Sequence, residues 1–329
     1  MVEYKDILVF CEVEENIAPI TLELLQVGKK LADELGVELL TVVLGSDIKK
    51  IADELVHFGP DKAYVIDDPL LEMYNGDAYA TVLERLCEEL NPDIILFGQT
   101  SVGRDLAPRL SFRLKTRLTT DCIDLSIEQD TKLLLQTKPV YGGNALAVYV
   151  CEVKPQIVTV RSKTMPPIAY DENRKGKVIE FDTEIDDTII RTKVIEKVKE
   201  ESAGIKLEDA DIIVSGGRGI GGPDGFKQIE ELSKLLGGAV GASRPPCDLG
   251  WAPSTHQVGL TGKIVTPNLY IAVGISGASQ HLAGMSESKR IVAMNKDSKA
   301  NIFKVAHYGV VGDYREILPA FIKKLEELK

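Results

Sequence analysis

The chain has 329 residues, 44% hydrophobic and 27% charged, which is ordinary for a soluble globular protein with a sizeable core and enough length for two domains. Its 39 Lys and Arg against 50 Asp and Glu give a net charge of −11, arguing against a general nucleic-acid or anionic-membrane surface. The five cysteines are scattered without a C-x-x-C pair, so no disulfide framework and no zinc or iron–sulfur site is expected, and the expected compartment is reducing and cytoplasmic. The opening residues lead to the expectation of no signal peptide, and no apolar run approaches the roughly 20 residues of a membrane helix.

From Lys5 to about Leu114 strands and helices alternate. DILVFCEV is a buried strand, and Pro19 to Leu35 is a helix with Leu22, Leu25, Val27 and Leu31 at helical spacing. VELLTVVLG is a second strand, Ile48 to Phe58 a helix and KAYVID a third strand; a helix from Tyr79 to Leu90 is broken by Pro92. DIILFGQT is a fourth strand, and Ser101 is expected to cap a helix through Leu114. This alternation predicts a parallel, doubly wound sheet. LLLQTKPVYGGNALAVYVCE and PQIVTVR then read as added antiparallel strands turning at Gly142-Gly143-Asn144. The loop GQTSVGRDL could hold an anion through Gly98, Ser101, Gly103 and Arg104, but a capped helix with a surface arginine is the plainer reading.

Ser162 to Lys206 is polar and charge-rich, and reads as a linker with one short strand and a charged helix; the domain boundary falls near Ala203. A second α/β unit starts at ADIIVSGGRGIGGPDGF, before a helix from Phe226 to Leu236. Gly238 to Gly284 holds or adjoins three strand-like runs, AVGAS, IVTPNLYIAVG and RIVAMN, each emptying into Gly, Ser, Thr, Asn or a cation. That pattern suits a phosphate-bearing ligand across the carboxyl ends of parallel strands, and predicts a dinucleotide site. Two other chemistries stay open. Gly217, Gly219 and Gly222 form G-x-G-x-x-G, and with Arg244 ending the next strand they suit an NADP-dependent dehydrogenase. Gly274-Ile275-Ser276-Gly277-Ala278 nearly forms a nucleophile elbow, with Asp297 and His307 following in the order of a serine hydrolase.

GGRG (Gly216–Gly219), GASR (Gly241–Arg244), HQVGLTGK (His256–Lys263), GISGASQHLAGM (Gly274–Met285), NKD (Asn295–Asp297) and VAHYGVVGD (Val305–Asp313) together resemble the alpha subunit of electron-transfer flavoproteins. GRDLAPRL and TTDC in the first half are also similar to that family. The resemblance implies an α/β chain of two domains, each a mostly parallel sheet flanked by helices. Residues 1–186 would dock on the beta subunit, 187–205 would be a hinge, and 206–329 would form a DHS-like, Rossmann-like FAD-binding domain. It implies a heterodimer whose beta subunit holds a second FAD or AMP. Electrons would pass between NADH or an acyl-CoA dehydrogenase or related flavin dehydrogenase and an acceptor, with ferredoxin or flavodoxin as a further acceptor in bifurcating members. The opening EYKDILVFCE and the DDPLLEMYNGDAYA run look closer to anaerobic bacterial members.

The resemblance also assigns roles. A one-electron carrier needs negative charge on the flavin stabilised by a nearby cation or donor, and Arg244 is similar to the family arginine placed over the ring system. His281 resembles the histidine that points at the flavin C2 carbonyl, and Thr261 the threonine that meets N5. Ser243, Ser276 and Gly277 match the positions that wrap the pyrophosphate, where hydroxyls and helix N–H groups suit the charge. Arg218 is matched to an arginine near the phosphates or flavin, Asn295 and Asp313 to the adenosine end, and Gln257, Gly262 and Gln280 to further cofactor contacts. Leu260 stands where many members have Gln, Pro245-Pro246-Cys247 replaces small apolar residues, and His307 replaces an acid. Cys247 is expected to be a buried spacer.

Overall fold

The computed structural model describes residues 3–13, 16–143, 145–182, 185, 187–192, 194–196 and 205–328. The chain divides into two compact units, Met1–Val140 with Leu146–Val198, and Tyr141–Ala145 with Lys199–Lys329. From the amino terminus the strands are β1 (Lys5–Cys11), β2 (Leu39–Gly45), β3 (Lys62–Asp67), β4 (Pro92–Gly98), β5 (Leu118–Cys122), β6 (Asp124–Ile127), β7 (Leu134–Val140), β8 (Ala145–Tyr149), β9 (Gln156–Val160) and β10 (Lys177–Glu180). The helices among them are α1 (Pro19–Leu35), α2 (Lys49–Leu55), α3 (Gly76–Leu90) and α4 (Ser101–Arg113).

The unbroken apolar runs of β1, β2 and β4 are what a parallel sheet covered on both faces requires, and their side chains fill two cores on opposite faces. α1 starts with Pro19 at its first position and ends on Gly36 in the left-handed region, at φ 69°, so both ends are written in the sequence. The main sheet has the order β10-β3-β2-β1-β4-β9-β5.

Several details differ from the sequence reading. β9, the PQIVTVR run, lies between β4 and β5 and pairs in parallel with both; only β6-β7-β8 form the separate sheet with an antiparallel ladder. Period-two alternation cannot reveal this, because β9 is buried on both faces. The residues from Ile48 to Phe58 break into α2 and a 3-10 turn, Val56–Phe58. Thr100, rather than Ser101, caps α4, its hydroxyl accepting the Gly103 N–H at 3.0 Å. β10, inside the polar stretch read as a linker, extends the main sheet in parallel beside β3. Further along, Arg191 reaches Asp77 at 2.9 Å, and Asn75 Nδ2 donates to the Thr192 carbonyl at 2.8 Å. The charged helix read there is not seen in the described residues, where Asp187–Ile189 form one 3-10 turn; residues 197–204 lie outside them.

The second unit contains β11 (Ile212–Gly216), α5 (Pro223–Leu236), β12 (Ala239–Ala242), α6 (Arg244–Asp248), β13 (Leu269–Val273), α7 (Ser279–Leu282), β14 (Ile291–Asn295), β15 (Tyr308–Val311) and α8 (Tyr314–Leu328). Its five strands are parallel in the order β12-β11-β13-β14-β15. The strand order reverses between β11 and β13. At such a switch point successive loops diverge to opposite faces and leave a crevice at the carboxyl edge.

Candidate cofactor site at the carboxyl edge of the second sheet

Backbone contacts between glycines build this edge. Leaving β11, Gly217 donates its N–H to the Val273 carbonyl at 2.8 Å, and Gly219 donates to Gly274 at 3.0 Å. A Cβ on Gly217 would stand 2.2 Å from the Gly274 oxygen, so only glycine lets the loops after β11 and β13 approach this closely. The G-x-G-x-x-G run is thus a packing device whose first two N–H groups are already used within the protein. α5 then begins with Pro223 and carries Asp224 in its first turn, which does not invite an anion.

The residues singled out by sequence fall into two groups, plus two edge cations and Ser243 beside one of them. In the first group, Gln257 Nε2 donates to Thr261 Oγ1 at 3.0 Å. Gly262 closes the same loop, where a Cβ would lie 2.3 Å from the Gln257 oxygen. Leu260, exposed on that loop, donates its N–H to the Gln280 carbonyl at 2.7 Å, joining the loop to α7. His281 follows and is buried; its Nδ1 lies 3.0 Å from the Val258 oxygen and its Nε2 lies 3.1 Å from the Tyr270 hydroxyl. Burial pushes the imidazole pKa down to about 4, opposed in part by the Val258 carbonyl.

The second group follows β13, β14 and β15. Ser276 is exposed, and its carbonyl accepts the Ile302 N–H at 3.2 Å. Ala278 occupies the capping position of α7. Gly277 has φ 80°, and a Cβ there would lie 2.2 Å from the Ile302 nitrogen, so the position admits only glycine. Asn295 ends β14, donating to the Ile275 carbonyl at 2.8 Å and accepting the Asp297 N–H at 3.0 Å. Asp313 precedes α8 and accepts the Arg315 N–H at 2.9 Å. Asn295 and Asp313 line an open cleft with Gly219, Gly274, Lys296 and Arg315.

Arg218 and Arg244 stand exposed on separate turns of the edge. Arg244 is the first residue of α6 and meets Asp248 at 3.2 Å, a solvated pair one helical turn apart. Ser243, just before it, is buried with its N–H donated to the Gly216 carbonyl at 3.0 Å. Cys247 is half-buried with a raised thiol pKa, first through burial and then through Asp248. Lys296, Tyr314 and Arg315 line the cleft but were not read from sequence. They sit one or two residues beyond Asn295 and Asp313, and only the strand order brings these two strand ends side by side. Arg315 also approaches the Tyr314 ring, at 5.8 Å from its centroid.

The serine-hydrolase alternative fails on geometry: His307 Nδ1 accepts the Ile291 N–H at 3.0 Å, and the Asp297 carboxylate accepts the Lys299 N–H at 2.9 Å. The dehydrogenase alternative loses its phosphate loop to Val273 and Gly274. What remains fits FAD. Exposed Arg218, Arg244, Lys296 and Arg315 suit a pyrophosphate, hydroxyls on Thr261 and Ser276 supply neutral donors, and the cleft at Asn295 and Asp313 suits a nucleoside.

A parallel sheet with hydroxyls, cations and such a cleft along its carboxyl edge defines a dinucleotide-cofactor-binding α/β protein. The electron transfer flavoprotein domain matches residues 7–186, and the electron transfer flavoprotein FAD-binding domain matches residues 206–286. The chain is 50% identical over 331 residues to the electron transfer flavoprotein subunit alpha of Thermoanaerobacterium thermosaccharolyticum, covering 100% of both chains. It is 44% identical over 333 residues to the subunit of the same name from Megasphaera elsdenii, covering 100% of this chain and 98% of that one. It is 40% identical over 325 residues to lactate dehydrogenase (NAD(+),ferredoxin) subunit LctC of Acetobacterium woodii, covering 98% of this chain and 77% of that one. The chain belongs to the electron transfer flavoprotein family as an alpha subunit, and it binds FAD and transfers electrons. Among the described residues, no helix is long and apolar enough to cross a membrane.

Proposed function

We propose that the carboxyl edge of the second sheet holds FAD through Arg218, Ser243, Arg244, Gln257, Thr261, Gly262, Ser276, Gly277, Gln280, His281, Asn295 and Asp313. The observation that carries this reading is the convergence of these residues on one sheet edge within and just beyond the segment matched to FAD-binding domains. Bound there, FAD supplies electron acceptance and release, while the chain supplies orientation and electrostatics. Arg244 is a fixed cation on a backbone stiffened by Pro245 and Pro246, so it favours negative charge on whatever lies against it. The cleft at Asn295 and Asp313 takes the adenosine end.

In this reading residues 1–186 dock on a beta subunit that carries a second FAD or AMP, 187–205 form the hinge, and 206–329 swing to meet a flavin dehydrogenase of the acyl-CoA type. Within that hinge, the ties of Arg191 to Asp77 and of Asn75 to Thr192 hold its start against the first unit and support bending in the part beyond Thr192. Similarity to a subunit named for both NAD(+) and ferredoxin supports the bifurcating form, with NADH acting on the beta side and ferredoxin or flavodoxin as acceptor. Flavin and AMP analysis of the purified heterodimer tests both levels. Two FAD per heterodimer are expected; one FAD with AMP would reduce the reading to a simple carrier, and no flavin would remove it.

A further inference from the structure

We infer that Tyr314 is a positioning residue for the adenylate half of FAD: its hydroxyl straps the start of α8 to the loop after β11, fixing the width of the cleft at Asn295 and Asp313 and with it the preference for FAD over FMN. The inference rests on the placement of FAD proposed above, and adds to it a residue that lies outside every motif read from the sequence.

In the sheet, β13 and β14 stand between β11 and β15. The loop after β11 makes a 3-10 turn, Arg218–Ile220, from which Gly219 lines the cleft. Asp313 and Arg315 line it from the α8 side, and Gly274 and Asn295, at the ends of β13 and β14, lie between the two walls. A side-chain hydrogen bond joins those walls. Tyr314 Oη donates to the Ile220 carbonyl at 2.7 Å, and since a carbonyl oxygen only accepts, the direction of this bond is fixed.

The phenol is held in place by its surroundings. Its half-buried ring packs against the cluster that contains Ile220, Phe226, Ile229 and Leu318, the core shared by α5 and α8. Space for the hydroxyl is kept open on α5: a Cβ on Gly225 would lie 2.7 Å from the phenol oxygen and 2.2 Å from Ile220 Cγ2. A glycine in the first turn of a helix is otherwise unfavourable, and the strap accounts for it. Arg315 reaches the same turn. Its guanidinium carbon is 5.8 Å from the Tyr314 ring centroid, and a Cβ on Gly221 would lie 3.6 Å from its Nη2.

Gly217 and Gly219 tie the near side of the β11 loop to Val273 and Gly274. Tyr314 ties the far side, at Ile220, to α8. A cleft held at a set width before the ligand arrives spends less binding energy on ordering its walls. Arg244, Thr261 and His281, assigned above to the flavin half, lie outside this cleft. FAD and FMN share the flavin and differ by the adenylate, so the ratio of their affinities reads the strap apart from general stability.

The heterodimer stripped of flavin, as wild type and as Tyr314→Phe, is titrated with FAD and with FMN. The beta subunit is the same in both proteins, so a difference between them belongs to this chain. Wild type is expected to prefer FAD. Tyr314→Phe keeps the ring and removes only the donor; it is expected to weaken FAD binding about fivefold through the lost hydrogen bond, and to leave FMN binding unchanged. Equal losses for FAD and FMN would show a merely structural role and overturn the inference. So would unchanged FAD binding in Tyr314→Phe when the wild type prefers FAD. A wild type that binds FMN as tightly as FAD would instead strike the placement of the adenosine end itself, and the inference with it.

Discussion

The two parallel sheets end differently at their switch points. In the first unit the order reverses between β1 and β4, and the carboxyl edge there is filled by the chain's own side chains. Glu12 accepts the Thr100 hydroxyl at 2.7 Å, Thr21 bonds the Glu12 backbone at 2.9 and 3.0 Å, and a Cβ on Gly98 would meet Ile20 at 2.7 Å. In the second unit the corresponding edge is glycine-to-glycine backbone contact, with cations and hydroxyls left facing solvent. Both edges have the topology of a nucleotide site; only one has the chemistry. The fold offers the crevice, and the residues that fill or line it decide whether a ligand enters.

Substituting the glycines separates the two edges most sharply. Gly277→Ala places a methyl 2.2 Å from a backbone nitrogen at φ 80°, and a cost of about 3 kcal/mol or more is expected from strain and overpacking together. For Gly98→Ala the nearest atoms belong to the side chains of Ile20, Glu12 and Thr100, which can shift, so about 1 kcal/mol is expected. Thermal unfolding with FAD content as second readout checks the pair; equal losses would show that the two edges are built alike.

Acid should reach the second unit through His281. Its folded pKa of about 4 lies below the ordinary value of 6.5, so the unfolded chain takes up a proton first as pH falls. The stabilisation is whole above about pH 6.5 and is lost progressively towards pH 4, amounting to about 3 kcal/mol. Urea unfolding of wild type and His281→Gln across that window measures it, and parallel pH profiles for the two would dismiss the effect.

Arg244→Ala is expected to act least on stability and mainly on electronics. If the guanidinium supplies a tenfold preference for the more negative flavin, its removal lowers the potential by about 59 mV for a one-electron step. A redox titration at fixed pH decides this, an unmoved potential placing Arg244 away from the flavin.

Much of this was legible in the amino-acid order, because local physics specifies it. Buried runs such as DILVF and IVAMN announce parallel strands, Pro19 and Gly36 bracket α1, and the residues from Gly216 to Asp313 spell out a cofactor edge and a family. The cap at Thr100 rather than Ser101 was one residue away, since either hydroxyl suits the position and only backbone geometry chooses. Tertiary structure alone decided what depends on distant partners. β9 reads like an antiparallel addition until β4 and β5 enclose it. The G-x-G-x-x-G run reads like a phosphate loop until Val273 and Gly274 take its N–H groups. Tyr270 reads like any aromatic in a buried strand until the strand order places its hydroxyl on His281. Sequence carries residue types and spacings, whereas hydrogen-bond partners separated by tens of residues exist only once the sheet has set which strands are neighbours.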